Sequence, residues 1–155
     1  MKIMFVCHGN ICRSPMAELV MRHLLQERGL SGRVAVASSA TSTEEIWNGV
    51  GNPIYPPARR EILRRGIPMD EGKRAVQLRR DDYEKYDLFV GMDDANIRNM
   101  HRMLGGDPEG KIHKLLCYAG RDESVADPWY TGDFATTFDD VWEGCTALLD
   151  TLDLQ

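Results

Sequence analysis

Val6-Cys7-His8-Gly9-Asn10-Ile11-Cys12-Arg13-Ser14-Pro15 follows a short apolar run, Ile3 to Val6, and opens an amphipathic segment. The order is strand, tight loop, helix N-terminus. Such a junction is an anion site, because the first amides of a helix lack intrahelical acceptors and the positive end of its dipole faces the loop. Cys7 and Arg13 bracket the loop with five residues between them. A loop of that length curls round one tetrahedral oxyanion, with the thiol on one side and the guanidinium clasping two oxygens. A cysteine facing amides, a helix N-terminus and an arginine is held as the reactive thiolate. Beside bound phosphate it is a nucleophile aimed at phosphorus. Gly9 lies inside the loop, and Ser14-Pro15 reads as helix cap and first helical residue.

Working outward, Lys2 to Val6 is predicted as a buried strand. Ser14 to Arg28 is predicted as a helix with Ala17, Val20, Met21, Leu24 and Leu25 on one face and Gly29 at its end. Gly29 to Gly32 turns into a second strand, Arg33 to Ala37. Strand, helix, strand at this spacing is a right-handed parallel crossover. Ser38 to Ser42 then leaves the second strand at the sheet edge where ligands bind. Thr43 to Pro57 reads as a long irregular segment and Pro57 to Arg65 as a helix stopped by Gly66. Asp87 to Met92 is a third strand; Asp93 caps the helix Asp94 to Leu104, which turns Ile97, Met100 and Leu104 inward. Ile112 to Leu116 is a fourth strand. Phe138, Val141, Trp142, Cys145, Leu148, Leu149 and Leu152 form the apolar stripe of a final long helix. The expected fold is α/β: a central parallel four-stranded sheet with helices on both faces, in one domain spanning residues 1–155.

Composition narrows the function classes. With 43% hydrophobic and 28% charged residues the chain reads as an ordinary soluble protein. No run reaches the length of a membrane span, and no signal peptide pattern opens it. Four cysteines without paired spacing suit a reducing compartment, so a cytoplasmic location is expected. The net charge of −5 argues against nucleic acid and leaves attraction of an anionic substrate to the pocket itself. His23, His101 and His113 show no ligand spacing with one another or with the cysteines, so neither metal nor cofactor is expected. Eight of the nineteen basic residues lie between Arg59 and Arg80, either a docking surface for an acidic partner or a solvated helix face.

The segment from Val6 to Glu18, FVC-x-GNICRSPMAE in pattern, resembles the signature of the low-molecular-weight protein tyrosine phosphatases, and Asp127-Pro128-Trp129-Tyr130 resembles that family's late acid motif. The resemblance spans essentially the whole chain. It implies a two-step hydrolysis of phosphotyrosine in proteins through a phosphocysteine at Cys7, with Arg13 clamping phosphate and Asp127 as general acid, then base. Inorganic phosphate would be product and inhibitor. The chemistry asks for such an acid, because a phenolate leaving group has a conjugate pKa of about 10 and leaves slowly without a proton. An Asp-Pro turn is the plainer reading of the same residues.

The resemblance also implies that Gly9, Ile11 and the rest of the loop bind phosphate, that Asn10 holds its shape, and that Ser14 hydrogen-bonds the Cys7 sulfur. It makes Ser39 the partner of Asn10, against the alternative of a simple polar turn. It makes Trp129 and Tyr130 walls that sandwich a flat ring, and Cys12 the thiol that traps oxidised Cys7 as a disulfide. Two departures stand out. Glu44-Glu45-Ile46-Trp47-Asn48-Gly49-Val50 resembles a short insertion, in which Trp47 is either the displaced wall aromatic or a pin for its own loop. Lys73 stands where the family usually has a histidine. His8 replaces an apolar residue and either tunes the thiolate, contacts substrate or faces solvent. Cys117 and Cys145 read as structural. Same-fold alternatives are an arsenate reductase, which needs further cysteines to relay a disulfide, and a protein-arginine phosphatase, which favours threonine where Ile11 stands. A phosphocarrier or phosphate-binding module would not need Asp127.

Overall fold

The computed structural model describes residues 1–152. Strand β1 (Lys2–Cys7) runs up the middle of the sheet, and helix α1 (Arg13–Glu27) follows it after the loop. Strand β2 (Ala35–Ala40) pairs parallel with β1, in a register that sets Lys2 opposite Ala35 and Cys7 opposite Ala40. A small antiparallel hairpin, β3 (Ile46–Trp47) and β4 (Val50–Gly51), precedes helix α2 (Pro56–Arg64). After the short helix α3 (Asp82–Lys85) come β5 (Leu88–Gly91), α4 (Asp94–Met103) and β6 (Ile112–Lys114). A 3-10 turn over Leu115–Ala119, helix α5 (Pro128–Thr131) and helix α6 (Phe134–Thr151) complete the order. The four-stranded sheet is all parallel with the order β2-β1-β5-β6.

Alternation along β1 divides the core in two. Ile3, Phe5 and Cys7 face a layer built from α1, α2 and α6, while Met4 and Val6 face Phe89, Met100 and Leu104 on the α4 side. Phe5 and Phe89 are fully buried, and each such ring contributes about 1.5–3 kcal/mol on removal from water. The chain leaves β1 for β2 on one side and returns to β5 on the other, so the C-terminal end of β1 lies where the strand order reverses. That crevice is where open parallel sheets bind ligands.

Several boundaries differ from expectation. The second strand starts at Ala35 and runs through Ser38-Ser39 to Ala40, because its ladder follows β1 all the way to Cys7. The fourth strand ends at Lys114, where Leu115 and Leu116 tighten into a 3-10 turn and bury against α6. Helix α1 begins at Arg13, so Ser14 is inside it and caps nothing. The stretch expected to be irregular contains the β3–β4 hairpin. Leu152 lies just past the end of α6. Among the described residues no helix is long and apolar enough to cross a membrane.

Candidate active site

β1 delivers Cys7 to the sheet edge and α1 starts at Arg13, so the intervening loop crosses the helix N-terminus. Cys7 is 3% exposed. Its Sγ lies 3.0 Å from Ser14 Oγ and accepts the backbone N–H of Asn10 at 3.3 Å and of Ser14 at 3.4 Å. Two backbone amides are thus directed at the sulfur, with the Ser14 hydroxyl within hydrogen-bond reach of it.

Asn10 makes the loop possible. Its φ of 59° is a left-handed conformation that costs most side chains about 1–2 kcal/mol and that asparagine tolerates better than most. Its Nδ2 donates to Ser14 Oγ at 2.7 Å and to Ser38 Oγ at 2.9 Å, and its Oδ1 accepts the Val76 N–H at 3.1 Å. The network runs on inward. Ser38 donates to Glu18 Oε1 at 2.6 Å, and Arg22 donates to Glu18 Oε2 at 2.6 Å. Lys73 Nζ donates to the Ser38 carbonyl at 3.2 Å and stands 3.9 Å from Glu18. Burial pushes the Lys73 ammonium below its ordinary range, against the opposing pull of Glu18 and Cys7.

The serine expected to meet Asn10 is therefore the wrong one of two neighbours. Ser39 Oγ is buried without a partner among the described residues, and only its carbonyl takes part, accepting from Ser14 Oγ at 3.4 Å. Successive side chains of a strand point to opposite faces, so the register of β2 lets only Ser38 face the loop.

Arg13 is 2% exposed. It donates from Nη1 to Asp93 Oδ2 at 2.7 Å and to the Val125 carbonyl at 3.0 Å, and from Nη2 to Asp127 Oδ2 at 3.4 Å. Burial alone would lower its pKa; the charge of Cys7, the hydrogen bond to Asp93 and the charge of Asp127 outweigh it and hold the guanidinium above its ordinary range. Asp127 is the N-cap of α5, its Oδ1 accepting the Trp129 N–H at 3.1 Å.

Cys7, Ile11, Cys12, Arg13 and Asp127 all line one cavity of about 130 Å³, with His8 and Gly9 at its rim. Trp129 and Tyr130 stand on its wall. Trp47 does not: it is 80% exposed, because Ile46 packs on the core and the next residue of the hairpin must point away. Glu44 and Glu45 occupy the wall instead. His8 Nε2 lies 3.0 Å from Glu44 Oε2, so His8 belongs to the rim. Gly9 leaves room there, since a Cβ would meet Glu45 Cγ at 3.2 Å. Burial pushes the Cys12 thiol up, helped by the charge of Cys7. Cys145 is fully buried and faces the Ala17 carbonyl, whereas Cys117 is exposed beyond β6. Among the described residues no group of three or more His, Cys, Asp or Glu gathers where it could hold a metal ion.

Ser38, Glu44 and Glu45 escaped the reading of the sequence as site residues, and so did Asp93 and Glu18. Asp93 was legible only as a helix cap, although its place at the end of the third strand puts it on the ligand edge. Glu18 follows Ser14 by one helical turn and so shares its face of α1, a spacing that was the available signal.

A family model for low molecular weight phosphotyrosine protein phosphatases matches residues 2–155. YfkJ of Bacillus subtilis, named a low molecular weight protein-tyrosine-phosphatase, is 35% identical over 152 residues, covering 97% of this chain and 94% of its own. Its crystal structure superposes with a TM-score of 0.91 at 34% identity, covering 98% of this chain and 94% of that one. PtpA of Staphylococcus epidermidis, similarly named, is 38% identical over 149 residues, 96% of this chain and 91% of its own. The crystal structure of a Drosophila arginine phosphatase is also similar, with a TM-score of 0.86 at 26% identity over 100% of this chain and 99% of that one.

Proposed function

The chain belongs to the low molecular weight phosphotyrosine protein phosphatase family, and from that premise we propose that it hydrolyses phosphotyrosine in proteins at the Cys7 loop. The observation that supports this most is that thiol, guanidinium and carboxylate line one cavity, with Arg13 reaching both Asp93 and Asp127.

In the first step Cys7 Sγ attacks phosphorus and the bond to the phenolic oxygen breaks. Asp127 donates its proton to that oxygen, so tyrosine leaves neutral. Arg13, fixed on its Nη1 side by Asp93 and Val125, stabilises the charge on the transferring oxygens. In the second step Asp127, now a carboxylate, takes a proton from water as that water attacks the phosphocysteine. The S–P bond breaks, and the Ser14 hydroxyl with the amides of Asn10 and Ser14 receives the leaving thiolate. Inorganic phosphate, released into the same cradle, competes with substrate. Ile11, Trp129 and Tyr130 suit a flat aromatic ring on the way in. Peroxide oxidation linking Cys7 to Cys12 belongs to the same reading and is visible as that crosslink in a digest without reductant.

A second reading, phosphoarginine as substrate, draws on Glu44 and Glu45, two carboxylates on the cavity wall that suit a guanidinium. An arsenate-type thiol relay has no support in cysteine placement. Cys145 is in the core, and Cys117 follows β6, two strands from β1 in the sheet.

The test is turnover of aryl phosphates. Cys7→Ser is expected to lose activity by a factor on the order of 10³ or more. Asp127→Asn should lose about 10²-fold with phenyl phosphate and far less with p-nitrophenyl phosphate, whose leaving group needs little protonation. Turnover surviving Cys7→Ser removes the mechanism. Faster release of phosphate from phosphoarginine than from phosphotyrosine moves the assignment to the second reading.

A further inference from the structure

Beside the phosphate cavity the cleft continues. A groove of about 290 Å³ shares Ile11, Glu45 and Trp129 with the phosphate cavity and is completed by Pro53, Tyr55 and Pro56. Trp129 lines both, and Tyr55 supports it with ring centroids 4.8 Å apart at 48°. Most of the groove lining is apolar or aromatic, and the exceptions are Glu45, which the two cavities share, and Asn52. Glu45 is half-buried there and accepts a hydrogen bond from Asn52 Nδ2 at 2.7 Å. Among the described residues no lysine or arginine pairs with it.

We infer that this groove receives an arginine side chain adjacent to the phosphotyrosine of the substrate protein, with Glu45 as the residue that reads its charge. The inference rests on the phosphotyrosine phosphatase reading of the neighbouring cavity. Three features of the groove match that occupant. Apolar walls cover the methylene stem of a long basic side chain and leave its head free. The Tyr55 and Trp129 rings offer faces for a planar guanidinium, which stacks where an ammonium does not. The half-buried Glu45 carboxylate, held by a neutral amide alone, gains a counter-ion from such a residue and repels an acidic one. Neighbouring residues of an extended peptide send their side chains in different directions, so one enters the phosphate cavity while the next reaches the adjoining groove.

The experiment uses three phosphotyrosine peptides, identical except that both neighbours of the phosphotyrosine are arginine, alanine or glutamate. At low salt kcat/KM is expected to fall in the order arginine, alanine, glutamate, with at least about a fivefold step from arginine to alanine. Added salt narrows the step. In Glu45→Gln the arginine-to-alanine ratio falls to about one; because both rates come from the same variant, any general loss of activity cancels. Lysine in place of arginine keeps only part of the preference. Equal rates on all three peptides overturn the subsite and leave the phosphatase reading standing. A ratio that survives Glu45→Gln overturns the role of Glu45. Failure of the folded protein to hydrolyse any of the peptides overturns both.

Discussion

Asp93 serves two structures with one carboxylate. Oδ1 accepts the Asn96 N–H at 2.8 Å and caps α4, while Oδ2 holds Arg13 at 2.7 Å. Asparagine caps a helix about as well as aspartate, so Asp93→Asn separates the two roles. The cap is retained and the buried guanidinium loses its nearest counter-charge, an arrangement that costs several kcal/mol when broken. The expected outcome is a KM for p-nitrophenyl phosphate raised about tenfold, with a smaller change in kcat and a lower Tm; the α4 amides should exchange with solvent as in wild type. An unchanged KM excludes Asp93 from positioning Arg13. Cys7, Arg13 and Asn10 could be picked out at this scale because the loop that joins them is local. Ser38 and Asp93 could not, since each enters through a contact between separate elements, and Glu18 offered only its helical spacing from Ser14.

The β3–β4 hairpin shows what an element contributes. Its turn is Asn48-Gly49, with φ of 50° and 76°, the two-residue turn that matches the twist of paired strands. That dipeptide was a legible hairpin signal inside a stretch that otherwise read as irregular. Recognising it would have set Ile46 and Trp47 on opposite faces, leaving packing to decide which of them turns inward. Gly51 seats the hairpin on the body, where a Cβ would come within 1.9 Å of the Ala75 carbonyl oxygen, backbone against backbone. Ala75 also donates its N–H to the Asn52 carbonyl at 2.9 Å. Gly51→Ala must therefore push the hairpin away from the Ala75 segment. A loss of about 3 kcal/mol is expected, a Tm lower by about 10 °C in calorimetry, with Glu45 carried off the cavity wall. A Tm within a degree of wild type excludes the close approach.

Across the whole molecule the four cysteines sit in three environments, and their chemistry follows. Burial in the core pushes the Cys145 thiol up, and burial with the neighbouring Cys7 charge does the same to Cys12. A thiol whose pKa lies above the working pH stays protonated and does not attack an alkylating agent. At pH 8, brief treatment with iodoacetamide should modify the exposed Cys117 and spare Cys12 and Cys145, as read by peptide mass; in denaturant both become reactive. Modification of folded Cys145 at the Cys117 rate contradicts the packing of α6 against α1. The order of strands and helices was readable at this scale because apolar periodicity is a property of short windows, and it placed the loop at the edge where the sheet opens.

The amino-acid sequence by itself determined the alternation of strands and helices, the anion loop from Cys7 to Arg13 and the late Asp127-Pro128 motif, since each depends on neighbours a few residues apart. Tertiary structure alone decided which serine meets Asn10, that Asp93 and Asp127 converge on Arg13 from 80 and 114 residues away, and that Glu44 and Glu45 rather than Trp47 face the cavity. The reason is register. A shift of one residue in a strand turns every side chain to the other face, and that choice is made by packing against distant parts of the chain.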